Sequence, residues 1–449
     1  MTRPEYRAAL SLAAVFSLRL LGLFMIYPVF AAYAHRLAGA TPYTIGLALG
    51  IYGLSQGLLQ IPFGVLSDRV GRKPMIVTGL LMFAAGSAIA ARATTIDGVV
   101  LGRVLQGAGA VGAVILALVA DLTREENRTK AMAMVGITIG LSFMIALVTG
   151  PVVAGVAGVP GIFWLMVVLA LVGIAVVLFV VPTPQDSHLH RDAETVPGML
   201  GSVLRNRELL RFDFGIFALH AILTASFLVV PGLLHAQLRV DSRDQWIVYL
   251  PILLVSVAVM IPAIVVAEKQ RRMKEVFVGA VGAIALSQLL LLRAEHSVAS
   301  LLFAVTLFFA AFNVLEASLP SLITKTAPPA ANGTATGVYS SSQFLGIFFG
   351  GVAGGWIHQV AHATGVFVGS AAIAFVWLLI AATMRRPSHL TMRILRIPGS
   401  GTIDERALSE RLRTVSGVAE AAVVAEERVA YLKVDSRTFD AKRAQAIAG

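Results

Sequence analysis

Apolar residues fill the chain from Ala8 to Met384 in twelve long stretches, and after Arg385-Arg386-Pro387 the pattern changes. A helix needs about 20 apolar residues to cross a bilayer. The stretches predict membrane helices near 8–34, 45–67, 74–93, 97–120, 131–157, 161–182, 208–234, 245–267, 275–293, 298–323, 333–358 and 363–384. Between the sixth and seventh, Pro182–Arg207 is polar and rich in Asp, His, Arg and Pro, which reads as a linker. The predicted domains are a six-helix bundle over 1–182, a linker over 183–207, a second six-helix bundle over 208–387 and a soluble segment over 388–449.

Composition supports a membrane protein. Of 449 residues, 57% are hydrophobic and 14% charged, with mean hydropathy +0.81. A soluble protein of this size could not hide so much apolar surface. The net charge of +11 would suggest nucleic acid in a soluble domain. Here its placement argues against that partner. With the amino terminus inside, inner loops and their edges carry fifteen Lys and Arg against five for the outer ones. That asymmetry predicts cytoplasmic termini and some affinity for anionic lipid in the bilayer. No cysteine is present, so disulfides, thiolate metal sites and thiol catalysis are excluded. MTRPEYR and the apolar run behind it read as a first membrane helix rather than a cleaved signal.

The most informative residues are Gly64–Met75, GVLSDRVGRKPM, a polar turn carrying Asp68, Arg69, Arg72 and Lys73 between two apolar helices. A counterpart lies about 200 positions later: Ile61-Pro62 is echoed by Ile261-Pro262, Asp68 by Glu268 and Arg72 by Arg272. Gly150-Pro151-x-x-Ala154-Gly155 likewise aligns with Gly350-Gly351-x-x-Gly354-Gly355. A charged hinge repeated at a fixed offset marks two structural repeats. The first hinge matches G-x-L-x-D-R-x-G-R-K and resembles the signature loop of the major facilitator transporters. The fold that this implies is all-α, with twelve transmembrane helices in two bundles. Gly71 permits the turn, and Gly64 is expected to let another helix approach closely. Asp68 would face the amino terminus of a helix beginning near Gly333, a contact made only when the bundles close on that side. Its charge would gain about 0.3–1 kcal/mol there, or about 2 when partly buried. Asp121 is placed to pair with Arg72. These residues form the expected conformational switch.

Four ionisable residues read as clearly embedded: Arg19, Arg103, His220 and Glu316. The resemblance puts all four on helices that line a central cavity. An embedded charge costs at least about 2.5–3.5 kcal/mol unless it faces water or a partner. Glu316 stands as the lone deep carboxylate and is the expected proton carrier, with Asn313 and an Arg as alternative static partners. His220 can be a packing residue or a titrating one. Arg19 can bind exposed carbonyls or contact substrate. Arg103-x-x-Gln106-Gly107 resembles a family motif linked with proton transfer, and Arg103 is expected to act on Glu316 across the cavity. Gln106 and Gly107 fit helix packing equally well. Gly150, Pro151 and Gly155 partially match the helix-bending motif of the family's proton-driven antiporters.

The segment after Met392 reads β-α-β-β-α, close to a ferredoxin-like split βαβ unit without its last strand. It resembles the small carboxy-terminal domain of the YajR-type branch. The Cys pair of metal-binding relatives is missing, so no metal is expected. An open sheet edge could lean on the bundle or on a second copy of the chain. No phosphate-binding G-x-x-x-x-G-K-[ST] run and no hydrolytic triad are present. The chain is therefore expected to be neither an ATPase nor another enzyme, and to use no cofactor. The resemblance implies proton-coupled export of a small amphipathic molecule across the bacterial inner membrane. Two other readings stand beside it: proton-symport uptake of an organic anion, and a sensor that uses the soluble segment.

Overall fold

A computed structural model describes residues 1–183, 196–294, 297–328, 331–386, 390–398, 403–435 and 437–448. The helices of the first half are α1 (Arg3–Met25), α2 (Tyr27–Ala34), α3 (Pro42–Val70), α4 (Arg72–Arg92), α5 (Ile96–Ala108), α6 (Gly112–Asp121) and α7 (Glu125–Phe179). A short helix, α8 (Leu200–Leu204), precedes α9 (Arg207–Phe227), α10 (Val230–Leu238), α11 (Trp246–Lys269), α12 (Met273–Leu291), α13 (Val298–Thr326) and α14 (Asn332–Ala382). Much of the expected 183–207 linker, residues 184–195, lies outside the described residues.

Local chemistry sets these boundaries. Thr2 caps α1 in a reciprocal box with Glu5, Thr41 caps α3 just before Pro42, and Asn206 caps α9. Pro28 and Pro231 sit at the starts of α2 and α10, where a missing N–H costs no helical bond. Each half therefore begins with a broken pair of helices at matching places.

Ten helical stretches among the described residues are long and apolar enough to cross a membrane. Two of them, Lys130–Phe179 and Asn332–Ala382, hold 50 and 51 residues, over twice the length one crossing needs. Each is interrupted. Gly158 has φ 68° and ψ 176° inside α7, and His362 has φ 55° and ψ −162° inside α14.

The halves meet along α3 and α14. A Cβ built on Gly46 would lie 2.1 Å from the Gly351 carbonyl oxygen, and one on Gly53 2.3 Å from that of Phe344. Glycine is what lets these backbones touch. Nearer the hinges, Gln60 Nε2 donates to Ser341 Oγ at 2.9 Å and to the Gly337 carbonyl at 3.2 Å. At the opposite face α2 meets α9 and α10, with the Tyr27 and Phe227 rings 5.3 Å apart.

The tail forms β1 (Thr391–Arg396), α15 (Glu405–Arg413), β2 (Val418–Val424), β3 (Val429–Val434) and α16 (Ala441–Ala448). The sheet runs β1-β3-β2 and is antiparallel, with Ile394 opposite Tyr431 and Ala422 opposite that same residue on the other side. Leu412, Val415, Ala421, Leu432, Val434 and Ala444 make its core. The edge strand β1 lies against α7 and α13, so this edge leans on the membrane helices.

Candidate transport site and switch

Gly71 ends α3 at φ 100°, a conformation side chains resist, and so turns the chain directly into α4. This places Arg72 inside the fold. Its side chain is 1% exposed, with Nε 3.1 Å from Asp121 Oδ2 and Nη1 2.5 Å from Asp68 Oδ1. Nη1 also donates to Ser67 Oγ at 2.7 Å. The expected Arg72–Asp121 pair is therefore formed. Among the described residues Asp68 pairs with Arg72 and forms no hydrogen bond or ion pair with the start of α14. Arg69 is exposed and Lys73 half-buried. At Gly64 an added Cβ would meet only Ala113 Cβ at an ordinary 3.5 Å, so close approach is not the reason for this glycine. That role falls to Gly46, Gly50 and Gly53, a small-residue spacing readable in the sequence.

At the second hinge the pairing differs: Arg272 is exposed, and the acid bonds to another helix. Glu268 accepts from Lys325 Nζ at 2.6 and 2.9 Å, joining the end of α11 to the end of α13. The tail reaches the same point: Lys433 Nζ donates to the Lys325 carbonyl at 2.9 Å. Lys433 is buried, and desolvation pushes its ammonium below the usual lysine range, with Glu420 3.7 Å away opposing the shift.

Gly150 and Gly350 are matched in space as well as in sequence. A Cβ at Gly150 would lie 2.3 Å from the Met25 carbonyl oxygen, and one at Gly350 2.3 Å from that of Ala221. Each brings its helix close to the first long helix of its own half. Pro151 lies inside α7, and a Cβ on Gly155 would meet Arg243 Cβ at 2.7 Å.

Arg103 and Arg19, both buried, differ. Arg103 gives Nε to the Ala48 carbonyl at 3.2 Å, Nη2 to that of Leu49 at 3.3 Å and Nη1 to Gln106 Oε1 at 2.9 Å. Its guanidinium lies 4.8 Å from the Tyr52 ring centre. The expected action of Arg103 on Glu316 is not what the fold builds, because its donors fasten α5 to α3. Gln106 continues the network to Ser87 Oγ at 2.7 Å, and an added Cβ on Gly107 would strike the Tyr52 carbonyl oxygen at 2.3 Å. Arg19 donates to Gln56 and lies between the Tyr52 and Phe83 rings, 5.7 and 5.6 Å away. Its Nε and Nη1 have no hydrogen-bond partner among the described residues.

Glu316 sits in the second half with His220 and Gln343. Gln343 Nε2 lies 2.9 Å from His220 Nε2 and 3.3 Å from Glu316 Oε1. His220 Nε2 and Glu316 Oε2 are 3.9 Å apart. With Nδ1 3.3 Å from the Ile216 carbonyl, the ring donates at Nδ1 and accepts from Gln343 at Nε2, as a neutral imidazole does. The Glu316 side chain is 26% exposed, although its Oε2 is buried without a hydrogen-bond partner. Asn313, one turn away, makes no bond to it through Nδ2. Gln343 was not legible as a partner, because α14 brings it in from distant sequence.

Glu316 is not the lone deep carboxylate. Asp213 on α9 is 5% exposed. Its sequence context, RELLRFDFG, reads as a polar helix start, but α12 and α14 pack on this part of α9: Phe277 meets Phe212, and Trp377 lies against Gly215.

Beside the Glu316 cluster lies an aromatic group drawn from both halves. Phe24 and Phe143 of the first half stand 5.0 Å apart edge-on, and Phe143 stacks on Phe312 of the second at 5.3 Å. Phe312 is 5.8 Å from the His220 ring. An acid, an imidazole and an amide thus adjoin an apolar wall where the halves meet.

The Major Facilitator Superfamily model matches residues 12–274 and 243–414. The chain belongs to this superfamily. Residues 392–442 match the YajR YAM domain. The inner membrane transport protein YajR of Escherichia coli (strain K12) is 46% identical over 97% of this chain and 96% of its own length. The multidrug resistance protein MdtH of Aeromonas salmonicida is 25% identical, covering 84% of this chain and 95% of its own. The fold also matches the crystal structure of the nucleoside transporter NupG, with a TM-score of 0.64 at 15% identity over 83% of this chain and 98% of that one. The protein is a multi-pass membrane transporter with a small appended α+β domain.

Proposed function

We propose that this transporter exports a small amphipathic molecule across the bacterial inner membrane in exchange for protons. The observation that carries the reading is Glu316 with His220 and Gln343 beside aromatic rings contributed by both halves. The rings offer area to an apolar body, and the acid offers a charge-assisted bond to a polar or cationic end. A proton on Glu316 and a substrate at Glu316 compete, which is the requirement for exchange. Likeness to YajR, an inner membrane transport protein, supports the location, and likeness to MdtH supports export.

Six-helix halves at 1–182 and 208–387 rock about this midplane site, with α7 and α14 each crossing twice to give twelve crossings. The hinges and both termini face the cytoplasm, in keeping with the excess of Lys and Arg in the loops on that side. Asp68 leaves Arg72 for the start of α14 when that face closes. The tail, 388–449, rests on the second hinge and tunes the rocking.

A second reading has its own support. The two unpartnered nitrogens of Arg19 would suit the carboxylate of an organic anion taken up with a proton. Proteoliposomes holding a pH-sensitive dye, challenged with a panel of lipophilic cations, sugars and organic acids, separate the two. Exchange moves protons against the flow of a cationic or neutral amphipath. Symport moves them with an organic acid. No response to any amphipath would overturn the export reading.

A further inference from the structure

Two carboxyl groups, not one, lie among the helices of the second half: Asp213 is buried, and Glu316 is part-exposed with Oε2 buried. Asp213 has neither oxygen bonded among the described residues, and the hydroxyl of Tyr339 is buried without a partner too. Tyr339 lies on α14 where that helix packs along α9, with Gly346 against Phe217 and Gln343 reaching His220. Helix geometry arranges these groups in two layers. Asp213 and His220 are seven residues apart on α9, two turns on one face, and Tyr339 and Gln343 are four apart on α14. Both helices start at the hinge face, at Arg207 and Asn332. Asp213 and Tyr339 therefore form the layer nearer that face, and His220, Gln343 and Glu316 the layer above it.

From this stacking we infer that Asp213 is a second proton station, passing protons between Glu316 and water at the hinge face through Tyr339. The inference rests on the reading of Glu316 as the proton carrier. The step balances without any co-reactant. Glu316, as the acid, gives its proton to Tyr339 Oη while the Tyr339 hydroxyl gives its own to the Asp213 carboxylate. Glu316 ends as the anion, Asp213 as the acid, and Tyr339 is unchanged. Asp213 then loses the proton to water when the hinge face opens. An isolated carboxylate is costly to bury as an anion and far cheaper as an acid, so the station fills when covered and empties when wetted. On the same turns of α9, Phe212 meets Phe277 of α12 and Gly215 meets Trp377 of α14, all uncharged, and Arg211 is paired with Glu208. With Asp213, the titratable side chains placed in these two layers are Tyr339, His220 and Glu316.

Infrared difference spectroscopy of the purified full-length protein in lipid, titrated between about pH 5 and 9, reads protonated carboxyls directly. Wild-type protein with carbon-13 at the aspartate side-chain carboxyl is compared with unlabelled protein and with Asp213→Asn, Glu316→Gln and Tyr339→Phe. The expected result is two carbonyl-stretch bands lost with rising pH. One moves with the aspartate label and is missing in Asp213→Asn. The other is missing in Glu316→Gln, and Tyr339→Phe shifts both. If no band in wild type responds to the label, or Asp213→Asn keeps every band, the inference is overturned while Glu316 keeps its role. If Glu316→Gln keeps every band, the Glu316 reading fails and takes the relay's partner with it. Should Asp213→Asn fail to fold, the labelled wild type still decides.

Discussion

Removing Arg72 should cost far more stability than removing the acid on its exposed side. Arg72 holds two carboxylates of unlike surroundings: the Asp121 side chain is 0% exposed and that of Asp68 37%. A solvated partner is worth about 0–1 kcal/mol. Stranding one member of a buried pair costs about 3–5 kcal/mol, because the remaining charge stays desolvated. Arg72→Met takes the buried guanidinium away from Asp121 and should fall in that larger range. Asp121→Asn leaves Arg72 with Asp68 and Ser67, so it should cost less. Asp68→Asn should lie near or below about 1 kcal/mol. Combining Arg72→Met with Asp121→Asn removes both buried charges, and the double variant should be about 1–3 kcal/mol more stable than the sum of the single losses. Reversible unfolding of the purified protein in mixed micelles gives each term. Additivity within about 0.5 kcal/mol, or an Asp68→Asn loss equal to that of Arg72→Met, would refute the reasoning.

Gly46→Leu should push α3 off α14, since even a Cβ there would lie 2.1 Å from the Gly351 oxygen. Because the chain has no cysteine, a Gln60→Cys, Ser341→Cys pair can report the loss as weaker cross-linking. Lys433→Met should free the tail from the end of α13 at a cost of about 1.5–3 kcal/mol, seen as faster hydrogen exchange in β3 and β1. Its folded pKa is depressed, so between that value and the ordinary value of about 10.4 the unfolded chain binds more protons. Tail stability should therefore rise with pH through that window, and Lys433→Met should flatten the rise. Asp68→Asn should raise the population open at the hinge face, measured by spin-label distances across it. Unchanged populations would remove Asp68 from the switch.

Much of this was legible because short-range chemistry fixed it. Only a glycine could make the Gly71 turn, and the tail's strands and helices follow their alternating and 3.6-residue patterns within a few positions. What the sequence hid depends on which helix faces which. Arg103 looks like a cavity cation until the α3 carbonyls claim its donors. Asp213 looks like a helix-start acid until Phe277 and Trp377 cover its turn of α9. Gln343 gains its meaning only when α14 carries it to His220. The α3 glycines were visible at their spacing, but their partner carbonyls on α14 are about 300 residues away.

The central claim is that Glu316 carries the exchanged proton. Its most direct test is the proton flux that accompanies substrate entry into proteoliposomes, measured by internal dye for wild type and Glu316→Gln at equal protein content. The account predicts that added substrate drives protons across wild-type membranes, and that Glu316→Gln abolishes this flux while still exchanging labelled for unlabelled substrate. A Glu316→Gln protein that moves protons at the wild-type ratio would contradict it.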